Sequence, residues 1–442
     1  MQSRPAKIST PRRPTGRNWR PRSTSSAIDM ADTVFIGDDF TGASDTLATL
    51  AERGARARLF LDAPEESETA GLDAVGIATD LRARSPEEAT LRLNLLAQAM
   101  HGLAPRYIHY KVCSTFDSAP HVGSIGAAVL ALEAAFAPSR TIVLGGQPSL
   151  GRYCVFGTLF ARAPDGKTYR IDRHPIMSRH PVTPMDEANL RIHLRRQGLD
   201  KIDLISRSQL QSASNEVAET IRLSGRVLID GLDLTDMERI GEILRRIDTE
   251  AAPLLLIGAS SVAEALYPPS DATPLQSATK RADGPRLAVA GSRSSATAAQ
   301  VAAATSYKCL PLHRDHLEAG QSRFAKSCAE LLASGRNVLI HLRPDLDYGL
   351  ASAALSERLA ALTATIVQLQ QVAAIAVAGG DTSSAVVKRL GFRSLSFVER
   401  AGAGVAVCRG DAAGCDVDGT LLLLKGGQVG DVGMLERFAT DK

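Results

Sequence analysis

Short apolar runs alternate along the chain with longer stretches whose apolar side chains recur at helical spacing. The first unit is the sharpest. A β-branched run, Thr33 to Ile36, stops at Gly37-Asp38-Asp39; Thr41-Gly42 then opens a segment with Leu47, Leu50 and Ala51 in helical register, closed by Gly54. This predicts strand, tight loop, helix. Further strands are expected at Ala57–Leu61, Ala74–Ala78, Tyr107–Val112, Thr141–Leu144, Ile202–Ser206, Val227–Asp230 and Leu254–Ile257. Helical patterns between them cover Pro86–Met100, Gly123–Ala135, Asp186–Gln197 and Thr235–Ile247. Such alternation means βαβ units and a mainly parallel sheet. Residues 268–285, PPSDATPLQSATKRADGP, interrupt the pattern and read as a linker. Beyond it strands are expected at Leu287–Ala290, Asn337–His341, Val372–Ala378, Leu395–Phe397, Val405–Cys408 and Thr420–Leu424, with helices at Ala296–Ala304, Ser322–Ala333 and Thr382–Leu390. The expected architecture is α/β: two domains, 31–267 and 286–442, each with a mainly parallel sheet, and an active-site cleft between them.

Composition changes this picture little. The chain of 442 residues is long for a single core, and 44% hydrophobic with 22% charged residues is ordinary for a globular protein. An aromatic content of 4% disfavours a base-stacking nucleic-acid binder. The formal charge of +3 is misleading, because residues 1–30 hold seven Arg and Lys against Asp29 alone, which leaves residues 31–442 at −3. That Pro-, Ser- and Arg-rich stretch has no apolar core of a secretory signal. A disordered extension, or a start at Met30 instead, is the expectation, with an RNA- or membrane-binding tail as the alternative. No apolar run reaches membrane-spanning length. The six cysteines form no CxxC pair, which fits reduced thiols and a cytoplasmic location. His313 and His316, beside Asp315, make a weak metal motif better read as a solvated loop.

Chemistry concentrates where strands end, the place where open α/β sheets bind ligands. The first loop carries Asp38, Asp39, Thr41 and, further on, Asp45; this suits holding a polyhydroxylated substrate or taking a proton from it. The alternative is that Asp38 or Asp39 merely caps the helix and Asp45 complements its dipole. Lys111, with Ser114 and Thr115, offers a point charge and short donors to a carboxylate or phosphate, or is only a surface lysine. Gly145-Gly146-Gln147-Pro148-Ser149-Leu150-Gly151-Arg152 allows close backbone approach and supplies a guanidinium. In the second half, Gly291-Ser292-Arg293-Ser294-Ser295, Gly379-Gly380-Asp381-Thr382-Ser383-Ser384 and Lys425-Gly426-Gly427-Gln428-Val429-Gly430 all leave strands. Three such loops in one α/β domain favour a phosphorylated ligand. There is no GxxxxGK[ST], no GxGxxG at a strand–helix junction, no GxSxG and no HExxH.

Together these stretches resemble the four-carbon acid sugar kinase family over roughly residues 33–438. Its Asp-Asp-x-Thr-Gly-Ala-x-Asp signature is present as Asp38 to Asp45, and its Lys-x-x-Ser-Thr segment resembles Lys111 to Thr115. Pro148 to Arg152, His180 to Met185 and Gly258-Ala259-Ser260-Ser261 are also similar. The chain departs from the pattern at Cys113, where many members have aspartate, and at Ala401-Gly402-Ala403-Gly404, where members often have Pro-Gly-x-Pro; losing both prolines is expected to loosen that loop. The resemblance implies an ATP-dependent kinase of a sugar acid such as threonate, erythronate or an oxo-tetronate. Asp39 or Asp38 would act on the attacking hydroxyl; Thr41, Asp45, Lys111, Ser114, Thr115 and Arg152 would hold the acid. Ser292, Gly379, Gly380, Asp381, Thr382, Ser383 and Gly427 would hold ATP, with Mg²⁺ on its phosphates. Small-molecule partners are implied, without nucleic acid or membrane; a homodimer is allowed. The alternative is a catalytically weak or regulatory sugar-acid or nucleotide binder of the same fold, and a nucleotide-dependent isomerase or oxidoreductase has least support.

Overall fold

The computed structural model describes residues 31–247, 249–269, 283–317 and 322–440. The expected leader 1–30 and residues 270–282 of the expected linker lie outside the described residues.

In the N-terminal half the strands are β1 (Thr33–Gly37), β2 (Ala57–Phe60), β3 (Ala74–Ala78), β4 (Tyr107–Lys111), β5 (Arg140–Leu144), β6 (Arg152–Val155), β7 (Thr158–Arg162), β8 (Thr168–Arg170), β9 (Ile202–Ile205), β10 (Arg226–Ile229) and β11 (Leu254–Gly258). The helices are α1 (Phe40–Glu52), α2 (Pro86–Met100), α3 (Ile125–Phe136), α4 (Leu190–Arg195), α5 (Arg207–Leu210), α6 (Ser214–Leu223), α7 (Leu234–Arg245) and α8 (Ser261–Leu266). The C-terminal half adds β12 (Arg286–Ala290), β13 (Tyr307–Pro311), β14 (Asn337–His341), β15 (Ala374–Ala378), β16 (Ser394–Gly402), β17 (Val405–Asp411) and β18 (Leu421–Lys425). Its helices are α9 (Ser295–Ala303), α10 (Ser322–Ala333), α11 (Ser352–Leu369), α12 (Gly380–Arg389) and α13 (Met434–Thr440).

The two sets of strands do not form separate sheets. They make one 15-stranded sheet in the order β13-β14-β12-β15-β18-β17-β16-β2-β3-β1-β4-β11-β5-β10-β9. It is parallel except around β16 and β17, and it is spliced where β16 pairs antiparallel with β2, Ser394 opposite Phe60 and Leu395 opposite Leu59. The strands β1, β3, β4, β11, β15 and β18 are buried along their whole length, which is why they read as continuous apolar runs without alternation. Helix α1 lies over the splice. Its Leu47 and Leu50 join Phe35 from β1 and Val377, Val386, Leu395 and Leu422 from the second half in a shared core.

Most expected elements are present within a residue or two. Not anticipated were strand β13, helices α5, α6, α8, α11 and α13, and a small antiparallel sheet β6-β7-β8. Helix α11 (SAALSERLAALTATIVQL) escaped because apolar and small residues cover most of its circumference, so no one-sided stripe marks it. The Ala401–Gly404 stretch does not form the loose loop expected. Ala403-Gly404 closes a hairpin between β16 and β17, with Gly404 at φ +70°, a conformation glycine adopts without strain.

Candidate active site

The loops leaving β1, β3 and β4 converge on the first turn of α1. Asp39 caps that helix: its Oδ1 accepts from the Gly42 amide at 2.8 Å. Capping does not exhaust it, because Oδ2 faces the Arg82 guanidinium at 3.0 Å. The same guanidinium grips buried Asp38 in a two-pronged contact, Nη2 to Oδ1 at 2.7 Å and Nε to Oδ2 at 3.0 Å. Burial raises the Asp38 carboxyl above its ordinary value against the pull of Arg82, and the neighbouring Asp39 adds to the rise. Arg82 was absent from the sequence-based site. Its signal was available: it follows the Ala74–Ala78 strand as the first loops follow theirs.

Lys111, at the end of β4, is buried beside this pair. Its Nζ donates to the Val112 carbonyl at 2.9 Å, and a Cβ on Gly42 would fall 2.3 Å from it, so a side chain there would displace the lysine from this position. Thr115 donates to Asp117 at 2.5 Å and lies 2.9 Å from the Cys113 Sγ. Burial pushes the Cys113 thiol up to about 11, so it is not a nucleophile at neutral pH. Burial also pushes the Asp117 carboxyl up, but Arg82 with hydrogen bonds from Cys113 and Thr115 outweighs it, and the net shift is downward. Ser114 is half-buried in the same loop. The loop is braced from behind by Ser118, His193 and Gln197, which share contacts of 2.8 to 3.0 Å. Arg152 opens β6; its Nη1 donates to the Leu150 carbonyl, while its buried Nε has no partner among the described residues. Burial lowers its pKa, and the Cys113 side chain is within its electrostatic reach.

Asp45 has partners from two other elements. Ser260 donates to its Oδ2 at 2.5 Å and Arg400, from β16, to its Oδ1 at 2.9 Å. Each oxygen has a partner because α8 and β16 converge on α1, so Asp45 ties these elements together.

Across the splice, three loops gather at the carboxyl ends of β12, β15 and β18. The Ser292 amide donates to the Ala378 carbonyl at 2.9 Å. Ser294 Oγ and Thr297 Oγ1 both donate to the Gly427 carbonyl, at 2.5 and 2.9 Å. The loops touch so closely that a Cβ on Gly291 would sit 2.2 Å from Thr382 Oγ1 and one on Gly427 2.3 Å from Ser292 Oγ. Gly379, at φ +128°, opens helix α12 without a side-chain cap, leaving amides of its first turn unpaired. Gly380 is half-buried and Asp381 exposed at that terminus. Thr382 and Ser383 are buried, and Ser383 Oγ has no partner among the described residues.

Thr41 stands where the two groups of loops meet. A Cβ on Gly380 would be 3.6 Å from its Oγ1 and one on Gly426 3.7 Å from its Cγ2; the Oγ1 itself is buried without a partner among the described residues. Among the described residues no cluster of three His, Cys, Asp or Glu could hold a metal. Asp381, with no partner among the described residues, fits a Mg²⁺ carried mainly by phosphate oxygens. His313 meets His316 edge-on and His316 stacks on Phe324, as in a structural loop. A larger cavity of about 820 Å³, bordered by Glu133, Lys201 and Arg226, opens at the amino ends of β5, β9 and β10, the wrong ends of these strands for a ligand site.

Among the described residues, no helix is long and apolar enough to cross a membrane. The model of a sugar-binding N-terminal domain matches residues 33–266, and that of a nucleotide-binding C-terminal domain residues 287–435. A 3-oxo-isoapionate kinase from Paraburkholderia graminis is 33% identical, the match covering 90% of this chain and 92% of that one. A 3-oxo-tetronate kinase from Burkholderia multivorans is 32% identical over 91% and 95% of the two chains. Another from Methylobacterium radiotolerans is 30% identical over 89% and 95%. Two solved structures share the fold. One, from Salmonella typhimurium LT2, has a TM-score of 0.78 at 24% identity, covering 93% of this chain and 99% of that one; the other, from Haemophilus influenzae, has 0.72 at 23%, covering 92% and 99%. The chain belongs to the four-carbon acid sugar kinase family.

Proposed function

We propose that the protein is an ATP-dependent kinase that phosphorylates a hydroxyl of a four-carbon sugar acid, with 3-oxo acids of the kind named in its relatives as the first candidates. The observation that carries this reading is the meeting of two unlike loop sets at Thr41. One set is rich in carboxylates and buried cations; the other is built of glycines, hydroxyls and a helix N-terminus. Phosphoryl transfer needs little covalent chemistry from the protein. It needs two substrates held in line and charge neutralised between them.

In this reading residues 31–267 bind the acid and residues 286–442 the nucleotide, on either side of the 268–285 linker. Lys111, with N–H groups beyond the one given to Val112, and Arg152, with its unpartnered Nε, hold the substrate carboxylate. Ser114 and Thr115 add short polar contacts. Asp39 accepts the proton of the attacking hydroxyl; its side chain is 25% exposed against 6% for Asp38, so it is the carboxylate a substrate can reach. Asp38 and Arg82 set the position of Asp39. Ser292, Gly379, Gly380, Thr382, Ser383 and Gly427 cradle the phosphates, and Mg²⁺, shared with Asp381, neutralises charge between them.

The test is ADP release from Mg-ATP against D- and L-threonate, D- and L-erythronate, and the 2- and 3-oxo acids including 3-oxo-isoapionate. Turnover on one member supports the reading. Silence across the panel by protein that still binds ATP favours the non-catalytic alternative suggested by Cys113. Asp39→Asn is expected to cut turnover by at least about a hundredfold while ADP binding persists; unchanged turnover removes Asp39 from its role.

A further inference from the structure

Lys425 ends β18 and is fully buried. Leu421 and Leu423 of that strand pack toward α9 and α13, and the alternation carries Lys425 to the same face. Among the described residues its Nζ has a single acceptor, Thr297 Oγ1 at 3.3 Å. Thr297 in turn donates to the Gly427 carbonyl at 2.9 Å. The ammonium therefore stands one hydroxyl behind the loop where β12, β15 and β18 bring their glycines together.

Among the described residues no carboxylate pairs with it. Helix α9 contributes Thr297 and Gln300; the Gln300 Nε2 donates to the carbonyls of Val429, Gly430 and Asp431, and its neutral Oε1 is buried with no partner among the described residues. Of the charged groups on the surrounding elements, Glu436 is bound by Thr305 and Ser306, Asp431 by Arg437, and Arg286 donates to the Phe438 carbonyl. Asp381 is exposed at the start of α12. The registered neighbour on β15 is Ala378. A cation buried without a counter-charge is costly in the empty protein, and the burial lowers its pKa to about 8. A polyphosphate settling on the Gly427 loop would supply the missing charge.

We propose that Lys425 is the charge-compensating and positioning residue of the phosphate site, and that binding of a nucleoside polyphosphate there draws a proton onto its amine. The proposal rests on the kinase reading above but separates from it in experiment. The proton comes from solvent and the amine becomes ammonium; no other bond changes. Because the free lysine is half-deprotonated near pH 8 and the bound one is held charged, affinity must fall as pH rises through that value.

Calorimetric titration of the full chain with Mg-ADP, in buffers of different ionisation enthalpy, reads the proton count directly. About half a proton is expected per ADP bound at pH 8, near none at pH 6.5, and roughly tenfold weaker affinity at pH 9 than at pH 7. Lys425→Met should abolish the uptake and the pH slope and weaken binding at pH 7. Lys425→Arg should also lose the slope, since arginine stays charged, while keeping more of the affinity. ADP binding by the wild type without proton uptake overturns the proposal and leaves the nucleotide site standing. Uptake that persists in Lys425→Met overturns the assignment to this residue. Failure of the wild type to bind ADP at all overturns both readings. Should Lys425→Met not fold, the wild-type buffer series and Lys425→Arg still decide.

Discussion

One guanidinium serves two carboxylates at the centre of the molecule. Arg82 reaches Asp38 through Nε and Nη2 and Asp39 through Nη1, a division only a planar, forked cation can make. Removing it strands a buried carboxylate, and loss of one member of such a pair outweighs anything its presence contributed. Arg82→Met is therefore expected to lower the unfolding free energy by about 3 kcal/mol in urea titration. Adding Asp38→Asn should restore much of that loss but not the turnover. Full recovery of turnover in the double variant would mean that Asp38 and Arg82 are structural only. The paired aspartates and Lys111 were legible in the sequence, because residue type and position at a strand end carry the signal. Arg82 lay in the same kind of position after β3 but had no companion glycines or hydroxyl string to mark it.

At the scale of elements, the glycine loops depend on contacts too close for any side chain. Gly427→Ala would press a methyl group to within 2.3 Å of Ser292 Oγ, a short side chain held in place by the Ser294 amide. The loops must part to admit it. We expect at least a tenfold loss in ADP affinity with little change in thermal unfolding, measured by titration calorimetry and by circular dichroism. Strand β4 makes a separate prediction. His109 is buried within it and its Nε2 donates to the Gly258 carbonyl at 3.1 Å; burial, helped by the charge of Lys111, holds its pKa down at about 3 against an ordinary 6.5. The unfolded chain takes up a proton below pH 6.5 and the folded one does not until about pH 3. Stability carried by neutral His109 is thus present above pH 6.5 and lost as pH falls from there. Between pH 6.5 and 5, before most carboxylates titrate, the unfolding free energy should decline in the wild type and stay flatter in His109→Gln. Equal slopes would show that another group governs that window.

For the whole molecule, the decisive feature is that two sets of βαβ units share one sheet and one core. Arg400 stitches the seam from β16 to α1, binding Asp45 and Glu52 and reaching Thr49. Arg400→Met should cost about 2–3 kcal/mol, with Asp45 left buried and short of a partner. Because the Leu47–Leu50 face of α1 packs into the shared core, differential scanning calorimetry is expected to give a single transition. Two resolved transitions would mean that the halves unfold separately in spite of the splice.

The sequence by itself determined the elements of this protein and the chemistry at their ends. Buried parallel strands must be continuous apolar runs, and the loops that leave them must carry the glycines, acids and hydroxyls a ligand requires; both are local properties written in consecutive residues. Tertiary structure alone decided the relations between distant residues. Nothing local announces that Leu395 will lie beside Leu59, that Arg400 will bind Asp45, or that Lys425 will be buried with only a hydroxyl beside it among the described residues. Those outcomes depend on which faces meet once the chain has closed, and burial against elements far away in sequence is what sets the charge and the reach of each group.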